Sequence, residues 1–176
     1  MLPLVQSTWA LRGQTPILPH SAKRLRRVSA IGLVSVSPRR RRLGCYYLLE
    51  AESSIDETLV VAVLRQARRH FHGPLIVLWD RLQAHRSAFV RNYLAHTPDL
   101  HVEFFPSYAA ELNPVEYLWA DSKNHDLAQF CPHDVDELLN ATEKALSIKR
   151  NDQHRIAGYI RKANLPLRLD IVPLST

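Results

Sequence analysis

Apolar positions recur along this chain with a period of two in some stretches and about 3.6 in others, and the changes of period mark its elements. Residues 28–36 are rich in β-branched side chains and read as a strand; residues 43–49 read as the strand returning from the turn at Ser37-Pro38-Arg39-Arg40-Arg41-Arg42. Between Asp56 and Phe71 the apolar residues Leu59, Val60, Val63, Leu64 and Ala67 fall at helical spacing, and Gly73-Pro74 ends that run. Next comes Leu75-Ile76-Val77-Leu78-Trp79, an unbroken apolar strand closed by Asp80. A helix over 87–96 is predicted with Phe89, Val90, Tyr93 and Leu94 inward, then a half-buried strand over 100–105. A helix from Asn113 turns Val115, Leu118 and Trp119 inward, and helices over 134–148 and 153–163 follow.

A hairpin followed by strand–helix–strand–helix predicts an α/β fold, a mixed sheet with helices packed on it. The 176 residues, 46% of them hydrophobic, suit one globular domain with a real core. No apolar run approaches the roughly 18 residues of a membrane span, and the N-terminus lacks the pattern of a signal peptide. The only cysteines, Cys45 and Cys131, do not make a disulfide framework, so the expected compartment is the cytoplasm. A net charge of +6 and a pI near 9.6 favour a polyanionic partner.

Two acids carry the candidate chemistry. Asp80 ends a buried strand, where open α/β sheets place their sites. Glu116 stands one turn into a helix opened by Asn113-Pro114, a capping residue followed by a residue suited to the first helical position. Two converging carboxylates repel unless a cation lies between them. Hard ions such as Mg²⁺ take oxygen ligands, commonly one or two carboxylates plus substrate phosphates. That is the chemistry of metal-assisted phosphodiester cleavage. Either acid alone reads equally well as a cap or a solvated loop residue, so the surrounding residues decide.

Those surroundings are specific. Strand-end Asp80, then Phe104-Phe105-Pro106-Ser107-Tyr108 and Glu111-Leu112-Asn113-Pro114-Val115-Glu116-Tyr117-Leu118-Trp119, resemble the catalytic domain of DDE transposases. The likeness is to the mariner-related bacterial insertion-sequence branch, over roughly residues 4–165. It implies a ribonuclease-H-like mixed sheet with flanking helices, with residues 1–165 as the catalytic domain and 166–176 as a tail. By motif Asp80 and Glu116 match the second and third acids of that family's triad, and the intervening residues 81–115 agree with its spacing. The resemblance implies Mg²⁺ or Mn²⁺ as cofactor, transposon ends and target DNA as partners, and DNA strand cleavage and transfer as the activity. His85 matches a histidine often found there in the family, which implies a catalytic role near the scissile phosphate or in positioning Asp80. The simpler reading is a helix-start residue bonding locally.

One departure stands out. The family's first acid lies on a strand shortly before the stretch that Leu2-Pro3-Leu4-Val5-Gln6-Ser7-Thr8-Trp9 resembles, and here Met1 occupies that place. The only acids before Asp80 are Glu50, Glu52, Asp56 and Glu57, clustered at a helix entrance where they favour its N-terminus. The expectation is therefore a truncated domain with its first strand missing, an incomplete triad, and no activity alone. An upstream transposase fragment would then supply the first acid, and a homodimer is a further expected partner. The alternative is a non-catalytic, nucleic-acid-binding or dimerising remnant. Because the first strand is central in the related fold, its loss exposes its neighbours' backbone groups and predicts marginal stability unless residues 1–20 fill the gap.

Basic residues cluster twice, at Lys23, Arg24, Arg26 and Arg27 before the first strand, and at Arg39, Arg40, Arg41 and Arg42 on the hairpin turn. Guanidinium forks match phosphate oxygens, so both clusters are candidate DNA contacts; the alternative is a solvated positive tip. Arg65, Arg68 and Arg69 read as the polar face of a helix. Among nine histidines, His70 with His72, and His133 with Cys131, fit no common zinc spacing. Trp79 and Trp119 read as core packing beside the acids.

Overall fold

The computed structural model describes residues 11–14, 27–39, 41–165 and 167–169. Lys23, Arg24, Arg26, Arg40 and the stretch around Leu2–Trp9 lie outside them. The first strand, β1 (Val28–Val36), runs antiparallel to β2 (Leu43–Ala51), with Gly32 opposite Tyr47. Their turn is closed by the Ser37 amide on the Arg42 carbonyl at 2.9 Å. Helix α1 (Glu57–His70) begins where the Asp56 carboxylate accepts from the Leu59 amide at 2.9 Å, so that acid is a cap, as its place predicted.

Strand β3 (Leu75–Trp79) and strand β4 (Leu100–Phe104) form a parallel pair joined by α2 (Ala88–Ala95), with Trp79 level with Phe104. Helix α2 buries Val90 but leaves Phe89 exposed, against the expectation that Phe89 turns inward. Eight residues give this helix one narrow contact stripe, and Val90 occupies its centre. Arginines expected to be merely solvated hold this half together. Arg68 grips Asp99 with both oxygens within 3.2 Å, and the Arg65 guanidinium lies 5.5 Å over the Tyr93 ring. Helices α3 (Pro114–Asp121), α4 (Val135–Lys149) and α5 (Gln153–Lys162) complete the chain.

The hydrophobic interior is divided. One cluster joins Leu43 and Cys45 of β2 to Leu118, Leu146, Ile156 and Ile160 of the last three helices. The other joins Val60, Val61 and Leu64 of α1 to Trp79, Val90 and Leu100. The sheet is divided likewise into β1–β2 and β3–β4, and among the described residues no strand bridges them. Strand β3 is apolar on both faces, the composition of a strand covered twice. Here Leu75, Val77 and Trp79 pack inward, while Ile76 is 74% exposed and Leu78 47%. Tyr46 ties the halves together, its hydroxyl 2.8 Å from His70 Nε2 and its ring edge-on to Phe71.

Candidate active site

Asp80 follows directly on β3, and its carboxylate is held from two directions. Its Oδ1 accepts from the Leu82 amide at 3.0 Å and lies 2.8 Å from His85 Nδ1. His85 sits on a short 3-10 turn, Gln83–Arg86, and its ring stacks on Trp79 with centroids 4.5 Å apart and planes 6° from parallel. The hydrogen bond from His85, foremost, holds the Asp80 carboxyl below the usual carboxylate range, against the opposing effect of burial. Asp80 is therefore an anion at neutral pH, with Oδ1 engaged and Oδ2 without a hydrogen-bond partner among the described residues. His85 thus pairs locally, with the acid five residues before it.

Glu116 is presented differently. The Asn113 side chain caps α3 by accepting from the Val115 amide at 3.1 Å, with Pro114 next, as the motif predicts. The Glu116 carboxylate is exposed and makes no hydrogen bond or ion pair among the described residues. The two acids are linked through the parallel pair: the Phe105 amide donates to the Trp79 carbonyl at 2.9 Å, and the chain beyond Phe105 runs through Ala110–Leu112 into α3. Asp80 meets His85 directly; among the described residues no hydrogen bond or ion pair joins Glu116 to either.

Two features escaped the sequence reading. Gly32 of β1 lies under α3, where a Cβ would come within 2.6 Å of Trp119 Cζ2 and 2.7 Å of Val115 Cγ1. Its missing side chain lets the Glu116 helix sit down on the hairpin. An isolated glycine within a strand pattern was the available signal. At the other end of α3, Asp121 accepts from the Tyr159 hydroxyl at 2.5 Å and lies 3.4 Å from Lys149 Nζ. Lys149 is 0% exposed and also pairs with Asp126. Burial raises the Asp121 carboxyl, but Tyr159 and Lys149 outweigh it and hold the group below its usual range. Lys149 continues the inward stripe of Leu138, Thr142, Ala145 and Leu146, so its helical spacing was the clue.

Arg39, Arg41 and Arg42 are exposed at the hairpin tip with no acidic partner among the described residues. Arg27 is at the opposite end of β1, donating to the Ser54 hydroxyl. A nine-residue strand separates the two positions, roughly 30 Å at strand rise.

Residues 3–138 match the family described as DDE superfamily endonuclease, a span that includes Asp80, His85 and Glu116. The chain belongs to the DDE endonuclease superfamily. Solved structures agree on the fold of this DDE endonuclease domain. The Mos1 strand transfer complex is 18% identical with a TM-score of 0.62, covering 93% of this chain and 47% of the Mos1 chain. The Mos1 mariner paired end complex with Mn is likewise 18% identical, with a TM-score of 0.61, covering 93% and 48%. The catalytic domain of Mos1 mariner transposase is 16% identical with a TM-score of 0.52, covering 78% and 74%. The DDE domain here thus spans about half the length of the chains in those complexes. No curated protein matches it.

The candidate donor set, Asp80 and Glu116, offers carboxylate oxygen from each acid, the ligand type that hard divalent cations take. It is small: among the described residues no group of three or more His, Cys, Asp or Glu side chains could hold a metal ion.

Proposed function

We propose that this chain is the catalytic domain of a DDE transposase, acting in metal-dependent cleavage and transfer of DNA strands. The observation that carries this reading is Asp80, fixed as an oriented anion by His85 at the C-terminal end of the parallel pair. The neighbouring strand of that pair leads into the Glu116 helix. Asp80 and Glu116 would hold Mg²⁺ or Mn²⁺, which supplies Lewis-acid stabilisation of charge developing at a scissile phosphate. His85 orients Asp80 and shields one of its oxygens.

Two acids leave the triad one short, so the remaining ligand comes from outside the described residues, on an upstream transposase segment or a second copy. The basic residues Arg27, Arg39, Arg41 and Arg42, with Lys23, Arg24, Arg26 and Arg40, contact backbone phosphates of transposon ends and target. The length of β1 favours different phosphates for Arg27 and for Arg39, Arg41 and Arg42. Residues 1–165 form the catalytic unit, and 166–176 a tail beyond α5. Among the described residues no helix is long and apolar enough to cross a membrane, and we place the protein in the cytoplasm.

A second reading, a DNA-binding remnant without catalysis, draws support from the lack of a three-acid cluster among the described residues. Nicking of supercoiled plasmid separates the two. The chain alone, with Mg²⁺ or Mn²⁺, is expected to nick weakly or not at all. A form extended to supply an upstream strand-borne Asp should nick, and Asp80→Asn or Glu116→Gln should each abolish it. Nicking that survives both substitutions would overturn the assignment. Duplex binding without nicking in either form would favour the remnant.

A further inference from the structure

The loop between β4 and α3 carries a side chain that folding does not explain. Tyr108 is 104% exposed and makes no hydrogen bond or ring contact with any described residue. Its backbone is left-handed at φ 60°, a conformation that disfavours residues with a Cβ and that glycine adopts freely. A bulky aromatic here buries nothing and strains its own backbone, so its benefit lies in a contact outside the chain.

The loop is a firm mount. Before it, Phe105 is buried, its amide donates to Trp79, and its carbonyl accepts from Arg81 Nε at 3.3 Å. After it, the Leu112 amide donates to the Ala109 carbonyl at 3.1 Å, leading to the Asn113 cap. Tyr108 therefore stands on the connection between the strand beside Asp80 and the helix of Glu116. Four peptide steps from Phe104, one strand spacing and one further step put it no more than about 24 Å from Asp80, seven base steps along one strand at most. Nearby, Phe104 is partly exposed under the Arg81 guanidinium, 5.5 Å from its ring centroid.

We propose that Tyr108 is a stacking residue for an unpaired nucleobase of the DNA strand led to Asp80. An exposed aromatic face in a basic protein suits a base lifted out of its stack, because every base offers a π-face and the contact is sequence-tolerant. The inference rests on the proposed DNA-processing function.

Its test uses two fluorescent oligonucleotides, a perfect duplex and the same duplex with one bulged base, titrated with the full chain. The wild-type chain should prefer the bulged DNA. Tyr108→Ala should weaken bulged-DNA binding roughly tenfold and leave duplex binding and its salt dependence unchanged, while Tyr108→Phe retains the preference. Tyr108→Gly should lose it while melting no lower than wild type. Bulged-DNA binding that is indifferent to Tyr108→Ala overturns the assignment, even where duplex binding upholds the broader DNA reading. Absence of binding to either DNA overturns both. A concentration-dependent dimer abolished by Tyr108→Ala overturns it in favour of docking between two copies.

Discussion

His85 lies flat on Trp79, its ring only 6° from parallel with the indole, while its Nδ1 points at Asp80. The stack removes the freedom of the imidazole to rotate away, so a residue buried in one core cluster sets the direction in which an exposed carboxylate faces. Outer partners of metal-binding carboxylates commonly account for about 10–100-fold in metal affinity. His85→Ala should accordingly weaken Mn²⁺ binding by about that factor in an electron paramagnetic resonance titration. Asp80→Asn should remove the same binding component altogether. Equal affinity in His85→Ala and wild type would show that Asp80 needs no orienting partner.

Gly32→Val places methyl groups where Val115 and Trp119 already sit, at 2.6–2.7 Å from the first added carbon alone. Overpacking of this kind costs about 1–3 kcal/mol. Urea denaturation should show that loss, and the spectrum of Trp119 should change as α3 lifts from the hairpin. An unchanged midpoint would mean that α3 slides without penalty.

Lys149 is a charge enclosed by carboxylates. Removing one partner of a buried ion pair costs about 3–5 kcal/mol, and the partial exposure of Asp121 and Asp126 points to the lower end. Lys149→Met should therefore lower stability by about 3 kcal/mol. Adding Asp126→Asn should recover part of it, as a double-mutant cycle would reveal.

The same cluster predicts an acid limb. In the folded chain the Asp121 carboxyl titrates below its ordinary value of 3.8. The folded state therefore binds this proton less readily than the unfolded state. The resulting stability is whole above that value and drains as pH falls through the lower, folded one. Chemical denaturation between about pH 2 and 5 should show the decline. Asp121→Asn should flatten it while lowering stability at neutral pH.

Burial pushes the Cys45 thiol up to about 11, against the weaker opposing effect of Arg150. A thiol reagent at pH 8 should modify Cys131 in the native chain and reach Cys45 only on unfolding. Rapid labelling of both would show that the β2 face opens readily.

Local features of this fold were legible because local chemistry dictates them. The β-branched run gives β1 its observed bounds, Asp56 and Asn113 cap the helices they precede, and the turn before β3 falls at Gly73-Pro74. The Asp80–His85 contact was foreshadowed by the resemblance, which implied that His85 could position Asp80. What stayed hidden depends on neighbours distant in the chain. Gly32 matters only because α3 crosses it, Lys149 only because Asp121 and Asp126 arrive beside it, and Phe89 points outward because Val90 meets α1 first. The division of the sheet belongs to the same class, since strand pairing is decided by partners rather than by periodicity.

That division has a mechanical consequence. Asp80 is mounted beside the cluster of α1, β3 and α2, whereas Glu116 rides on the helix seated in the other cluster. The placement of one acid relative to the other therefore depends on what joins the two clusters, such as the contact of Tyr46 with His70, and not on packing inside either one.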